Sequence, residues 1–292
     1  MQQANAALMS KLDAICVANN IQYWLSYGSL VGTLSRSGFI PWDDDIDICM
    51  LRSDVDKLTA ALIDDPEYQI TLVYDWFVKC RQVRFCSTNS LIPCFVDISI
   101  YDRAAENSKR ANDQLRQLRI ELMDFFDKNE REFSFWKDNP WMVHPHSGLS
   151  VQCGDVDLEA QRTVVSSAEI DLVQSVFDSF NEKAHDLGLL TDESRGDFAY
   201  AIDNVFDAPK RKIIWDRNDI LPVRKHPFDS FSFLVPAKAE KVADDCYPGW
   251  PYMPMDICGH DHFAKDVLSD PDVAPRWQSL STNVISSYNG FD

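Results

Sequence analysis

Three aspartates carry the chemistry this sequence offers. Asp45 and Asp47 stand two apart in FIPWDDDIDICM (39–50), where Ile46, Ile48 and Met50 alternate with Asp45, Asp47 and Cys49. A period of two puts both acids on one face of a strand. In FVDISIYD (95–102), Val96, Ile98 and Ile100 take one face and Phe95, Asp97 and Ser99 the other, so Asp97 is a carboxylate in mid-strand. Such a group is costly to bury without a partner. Two carboxylates at i and i+2, joined by a third from another strand, are oxygen ligands suited to divalent cations that bridge a phosphate and an attacking oxygen. Mg²⁺ is the expected ion, with Mn²⁺ as the alternative.

Upstream, Tyr27-Gly28-Ser29 closes a β-rich stretch and opens the helical pattern SLVGTLSR. A Gly-Ser turn at a helix start offers backbone N–H groups and a hydroxyl to a phosphate, and Gly28 lets the backbone come close. Taken in chain order, the Gly-Ser turn, the Asp45/Asp47 pair and the strand-borne Asp97 match the polymerase-β-like nucleotidyltransferase pattern. Competing readings are weaker. Asp43 and Asp44 alone read as a solvated loop. A calcium loop on Asp43, Asp45 and Asp47 would put Ile48 where glycine is needed and Asp54 where glutamate belongs. A glycosyltransferase D-x-D motif explains neither the Gly-Ser turn nor Asp97.

The elements that must position these residues follow from local patterning. Residues 3–19 read as an amphipathic helix with Leu8, Leu12, Ile15 and Cys16 on one side, followed by the strand IQYWLSYG and a helix capped by Ser29. A helix is expected over 53–63, then strands YQITLVY, FVKCRQVRF and PCFVDISIYD. Residues 105–137 read as one long helix with a stripe of Leu115, Leu118, Leu122 and Phe125, 138–167 as irregular chain, and 168–187 as a core helix. The expected fold is α+β: a small mixed sheet bearing the acids, flanked by helices, with 1–137 as catalytic core and 138–292 completing the site and the acceptor surface.

With 45% hydrophobic and 25% charged residues over 292 positions, the chain can bury a substantial core. Its 28 basic against 46 acidic residues give a net charge of −18, which disfavours nucleic acid as a partner. No apolar run is long enough to span a bilayer, and Lys11 and Asp13 interrupt the apolar run near the N-terminus, so a cytoplasmic chain without an integral membrane segment is expected. Eight cysteines form no CxxC pair and read as free thiols; neither Cys80, Cys86 and Cys94 nor His144, His146 and Cys153 has zinc-ligand spacing. In so acidic a protein, anion binding falls to metals and local cations: Lys79, Arg81 and Arg84 on one strand, Lys210 to Lys212, and Arg224 with Lys225. Among the eight tryptophans, Trp24, Trp42, Trp76 and Trp250 could box a quaternary ammonium, although tryptophans are more often core residues.

The run GSLVGTLSRSGFIPWDDDIDI (28–48) resembles the signature of the LicD family, which includes the fukutin-related proteins, and FVDISIYD resembles the family's second motif. LPVRKHPFDSFSFLVP and YPGWPYMPM are similar to its later basic, aromatic and proline-containing block. The resemblance implies a nucleotidyltransferase fold using a CDP-activated donor, such as CDP-choline or CDP-ribitol. The alcohol phosphate would pass to a hydroxyl of a glycan or glycolipid in lipopolysaccharide, teichoic acid or capsule, releasing CMP, with only peripheral contact to a membrane-linked acceptor. By position it makes Asp45, Asp47 and Asp97 metal-binding and catalytic, Gly28 and Ser29 the phosphate turn, and Arg36 a motif arginine. Tyr27-Gly28-Ser29 departs from the second glycine and threonine of many members, and no counterpart of the fukutin-related zinc cysteines is evident. A nucleotidylyltransferase using the same acids, or a metal-binding scaffold with a decayed site, are the other readings. If Asp97 completes a metal site, its removal is expected to leave apo stability unchanged or raised; an arginine partner would reverse that forecast.

Overall fold

The computed structural model describes residues 1–89, 91–144, 166–204, 212–252 and 269–280. In chain order these form α1 (Gln2–Ala18), β1 (Trp24–Leu25), α2 (Tyr27–Arg36), β2 (Asp47–Leu51), α3 (Arg52–Ala61), β3 (Tyr68–Asp75), β4 (Cys80–Ser87) and β5 (Phe95–Ala104). Then come α4 (Lys109–Lys128), α5 (Ser134–Asp138), β6 (Trp141–His144), α6 (Ser167–Asp186), β7 (Asp197–Tyr200) and β8 (Ile214–Trp215). A short α7 (Arg217–Ile220), the hairpin β9 (Arg224–Phe228) and β10 (Phe231–Val235), and α8 (Ala239–Cys246) follow. The architecture is a mixed α+β fold whose sheet runs β1-β2-β5-β4-β3-β6, with β7 and β8 continuing from β5. Among the described residues only β2 and β5 pair in parallel; the other strand pairs are antiparallel. No helix among the described residues is long and apolar enough to cross a membrane.

Local chemistry explains most elements. Ser108 caps α4 by accepting from Ala111 N–H, and Ser166 with Glu169 forms a capping box at the start of α6. The apolar stripe of α4 differs at its end from the sequence expectation. Leu115, Leu118 and Leu122 are buried, but the stripe continues to Phe126, while Phe125 is 36% exposed. From Leu122 a step of four keeps the core-facing direction better than a step of three once the helix turns 3.6 residues per cycle. The expected long helix also breaks after Lys128, and part of the expected irregular stretch pairs as β6 against β3. The strand expected over IQYWLSYG is only Trp24–Leu25.

Strand β5 is the spine, buried throughout except at Arg103. Its buried Asp102 belongs to an ion network that ties five segments together. Arg52 donates to Asp102 through Nε and Nη2, each at 2.7 Å, and to Asp203. Arg81 donates through Nε to Asp203 and through Nη1 to Asp178, both at 2.7 Å. Burial alone would raise the Asp203 pKa, but the Arg52 and Arg81 guanidinium groups override it and hold the carboxyl well below the usual range. A depressed folded-state pKa contributes stability that is present above the unfolded value near pH 4 and is lost as pH falls further. Asp203→Asn should therefore cost on the order of 3 kcal/mol at neutral pH, because the buried Arg81 and the half-buried Arg52 lose a charged partner. It should also flatten the fall of melting temperature below about pH 4. Melting curves of both proteins between pH 2 and pH 7 check this; parallel acid limbs would refute it.

Candidate metal centre

Strand register brings the acids together. Asp47 opens β2 and is the register neighbour of Asp97 on the parallel strand β5, so their side chains share a sheet face. The Asp97 N–H donates to Ile46 O at 2.9 Å, which fixes that register at the entry to β2. Asp45 precedes the strand, two residues before its first paired position. Asp45 and Asp97 are buried and Asp47 is half-buried, and carboxylate oxygens of all three lie within 4.8 Å of one another. Three negative charges this close repel one another. The cluster offers only hard oxygen donors, with no thiol or imidazole among them. That set fits Mg²⁺ or Mn²⁺.

The segment leading to Asp45 is held from the first turns of α1. Gln2 Nε2 donates to Ile40 O at 3.0 Å and to Asp43 O at 2.6 Å, and Asn5 Nδ2 donates to Asp44 O. Neither residue was singled out from sequence. Asn5 left a signal nevertheless, because it begins the buried stripe of Leu8, Met9, Leu12 and Cys16 and is itself fully buried. A polar side chain on such a stripe needs a hydrogen-bond partner.

The expected phosphate turn is built differently. Helix α2 starts at Tyr27, two residues before the expected cap, with Ser26 at its N-cap and Tyr27 at φ 45°. Ser29 therefore lies within the first turn, fully buried, and its Oγ accepts from Asp47 N–H at 2.9 Å. With Ser26 N–H donating to Asp47 O at 3.1 Å, it stitches α2 to the start of β2. A Cβ at Gly28 would collide with the Asp43 carboxylate, so glycine here admits an acid from the chain itself. A carboxylate suits a helix N-terminus. Arg36 is exposed in the last turn of α2, about 12 Å along the helix from Gly28 at 1.5 Å per residue.

Of the three basic residues expected to share one strand, only Arg84 reaches the acids. It is the cross-strand neighbour of Asp97 and donates through Nε to Asp97 Oδ1 at 2.6 Å. Arg81 is three residues away and so faces the other side of the sheet, committed to Asp178 and Asp203. Lys79 stands before β4 at φ 48°, with Nζ donating to Trp76 O at 2.7 Å, 3.8 Å above the Trp76 ring and 3.4 Å from Asp127. Of the run Lys210 to Lys212, only Lys212 lies within the described residues, and its Nζ donates to Asp245 at 3.2 Å. Arg224 and Lys225, on β9, pair with Glu240 and Asp13. Trp24 packs edge-on against Tyr101 and Phe198, and Trp76 against Trp136, which places both in the core. Cys80, Cys86 and Cys94 are buried free thiols whose pKa values are raised by burial. His146 and Cys153 lie outside the described residues.

Residues 20–151 match the family described as LicD/FKTN/FKRP, nucleotidyltransferase domain. Among curated proteins, the lipopolysaccharide cholinephosphotransferase LicD of Haemophilus influenzae is 28% identical over 114 residues, which cover 35% of this chain and 43% of that protein. The uncharacterized protein RP689 of Rickettsia prowazekii is 34% identical over 68 residues, 23% of this chain and 26% of the relative. RT0683 of Rickettsia typhi is 40% identical over 47 residues, 16% of this chain and 15% of the relative. The chain thus matches less than half the length of each of these relatives. Every acid of the cluster, Arg84 and the α2–β2 connection fall inside the matched segment, so the site lies in the part of the chain that is similar to the LicD/FKTN/FKRP nucleotidyltransferase domain.

Proposed function

We propose that this chain is a LicD-type phosphotransferase. It moves an alcohol phosphate from a CDP-activated donor to a hydroxyl of a cell-surface glycan or glycolipid and releases CMP, with phosphocholine favoured and a polyol phosphate such as ribitol phosphate second. The observation that carries this reading is the cluster of three carboxylates on neighbouring chain segments, inside a domain matched to this family and similar to a protein named as a cholinephosphotransferase. Asp45, Asp47 and Asp97 would hold the divalent cation, which when bound neutralises phosphate charge. The chain's own residues do the rest. The α1 side chains of Gln2 and Asn5 and the hydroxyl of Ser29 fix the acid-bearing segments before substrate arrives, so little reorganisation remains for the reaction. In the transfer, the acceptor oxygen forms a bond to the alcohol-bearing phosphorus, the bond from that phosphorus to the CMP oxygen breaks, and the acceptor proton passes to a carboxylate. Asp97, oriented by Arg84, is the candidate to receive it.

Incubating the protein with Mg²⁺, an acceptor glycan and a panel of CDP-alcohols tests the reading. CMP release coupled to alcohol phosphate on the glycan is the expected result; nucleotide attached to the acceptor would mean a nucleotidylyltransferase instead. Binding of CDP-choline should require Mg²⁺ or Mn²⁺, and EDTA should abolish CMP release while leaving the circular dichroism spectrum intact, since such a site keeps waters and does not build the fold. Calorimetry showing the same donor affinity with and without EDTA would overturn the metal assignment.

A further inference from the structure

Arg84 is one of the most deeply buried charged side chains of the protein, 2% exposed, on the sheet face that holds the acids. Its Nε meets Asp97 Oδ1 at 2.6 Å while Nη2 is 3.4 Å from Oδ2, so the grip on one oxygen is short and on the other long. The guanidinium carbon lies 3.9 Å from the Phe95 ring centroid, and this stacking limits how far the group can swing. Phe95 and Asp97 are two apart on β5, so platform and carboxylate project from the same strand face. The result is a short chain of fixed contacts, Phe95 to Arg84 to Asp97, that ends in the cluster.

We infer that Arg84 is a positioning residue for the metal centre: it clamps Oδ1 of Asp97 and thereby presents this carboxylate, already oriented, as the third ligand beside Asp45 and Asp47. The inference rests on the metal-binding reading above. Two effects of this arginine on a bound cation have opposite signs. As a positive charge close to the site it repels a metal ion. As the outer partner of a ligand it removes the freedom Asp97 would otherwise lose on binding, which favours the ion, and partners of this kind are worth about tenfold to a hundredfold in metal affinity. The sign of the change on removing Arg84 therefore separates a positioning role from a mere counter-charge.

The test is Mn²⁺ binding to the full chain, followed by titration calorimetry, for wild type, Arg84→Gln and Arg84→Lys. Positioning predicts that Arg84→Gln binds Mn²⁺ about tenfold or more weakly, and that Arg84→Lys, which keeps the charge but not the planar fork, fails to restore wild-type affinity. Affinity equal to or tighter than wild type in Arg84→Gln overturns the inference, as does full restoration by lysine. If Arg84→Gln does not fold, Arg84→Lys decides alone: weakened binding supports the clamp and wild-type binding overturns it. A wild type that binds no Mn²⁺ removes the metal reading and this inference with it, whereas wild-type binding with an unaffected Arg84→Gln removes only the inference.

Discussion

Asp45→Asn and Asp47→Asn should each lower transfer from a CDP-alcohol by at least roughly a hundredfold, equivalent to about 3 kcal/mol of transition-state stabilisation. Asparagine keeps the size of each side chain but removes a charge that would sit on the cation. Folding should survive, because each substitution takes one carboxylate out of a group of three whose oxygens crowd within 4.8 Å. The rate of CMP release at saturating Mg²⁺, measured beside a thermal melt, checks both halves. More than about a tenth of the wild-type rate in both variants would contradict the metal assignment.

The second large effect belongs to Asp97, and the structure decides between the two signs of its expected effect on stability. A metal ligand set only against two other acids forecasts an apo protein unharmed by Asp97→Ala, and an arginine partner forecasts the opposite. The structure pairs Asp97 with Arg84, whose exposure of 2% leaves it almost no access to water. Removing one partner of a buried ion pair strands the other, which costs about 3–5 kcal/mol. Asp97→Ala should therefore melt lower by on the order of 10 °C. The same variant should lose the Mg²⁺-induced rise in melting temperature that is expected of wild type by linkage. Adding Arg84→Met to Asp97→Ala should restore much of the stability without restoring the magnesium effect, since it removes the stranded charge and not the missing ligand. Melts of the three proteins with and without Mg²⁺ distinguish the roles. An unchanged apo melting point denies the pair a stabilising part, and an undiminished magnesium shift would falsify the place of Asp97 in the metal centre.

The sequence by itself determined the features that depend on neighbours along the chain. The helices from Gln2 and from Ser167 appear where apolar spacing puts them, and the period of two in β5 sends Asp97 to the face opposite Val96 and Ile98. Those signals are local, because dihedral preference, capping and side-chain direction act within a few residues. Even locally, a helix start was misplaced: α2 begins at Tyr27 because Ser29 is needed inside the turn to bind Asp47, a partner 18 residues away. Only the tertiary structure decided the rest. The parallel pairing of β2 with β5 sets Asp47 beside Asp97, and the antiparallel pairing of β4 with β5 sends Arg84 to that pair and Arg81 to Asp203 on the other face. The period of two already separates Arg84 from Arg81, but which of the two meets Asp97 depends on register, and a shift of one residue would exchange their faces. Register is fixed by contacts between segments far apart in the chain, and no single segment contains that information.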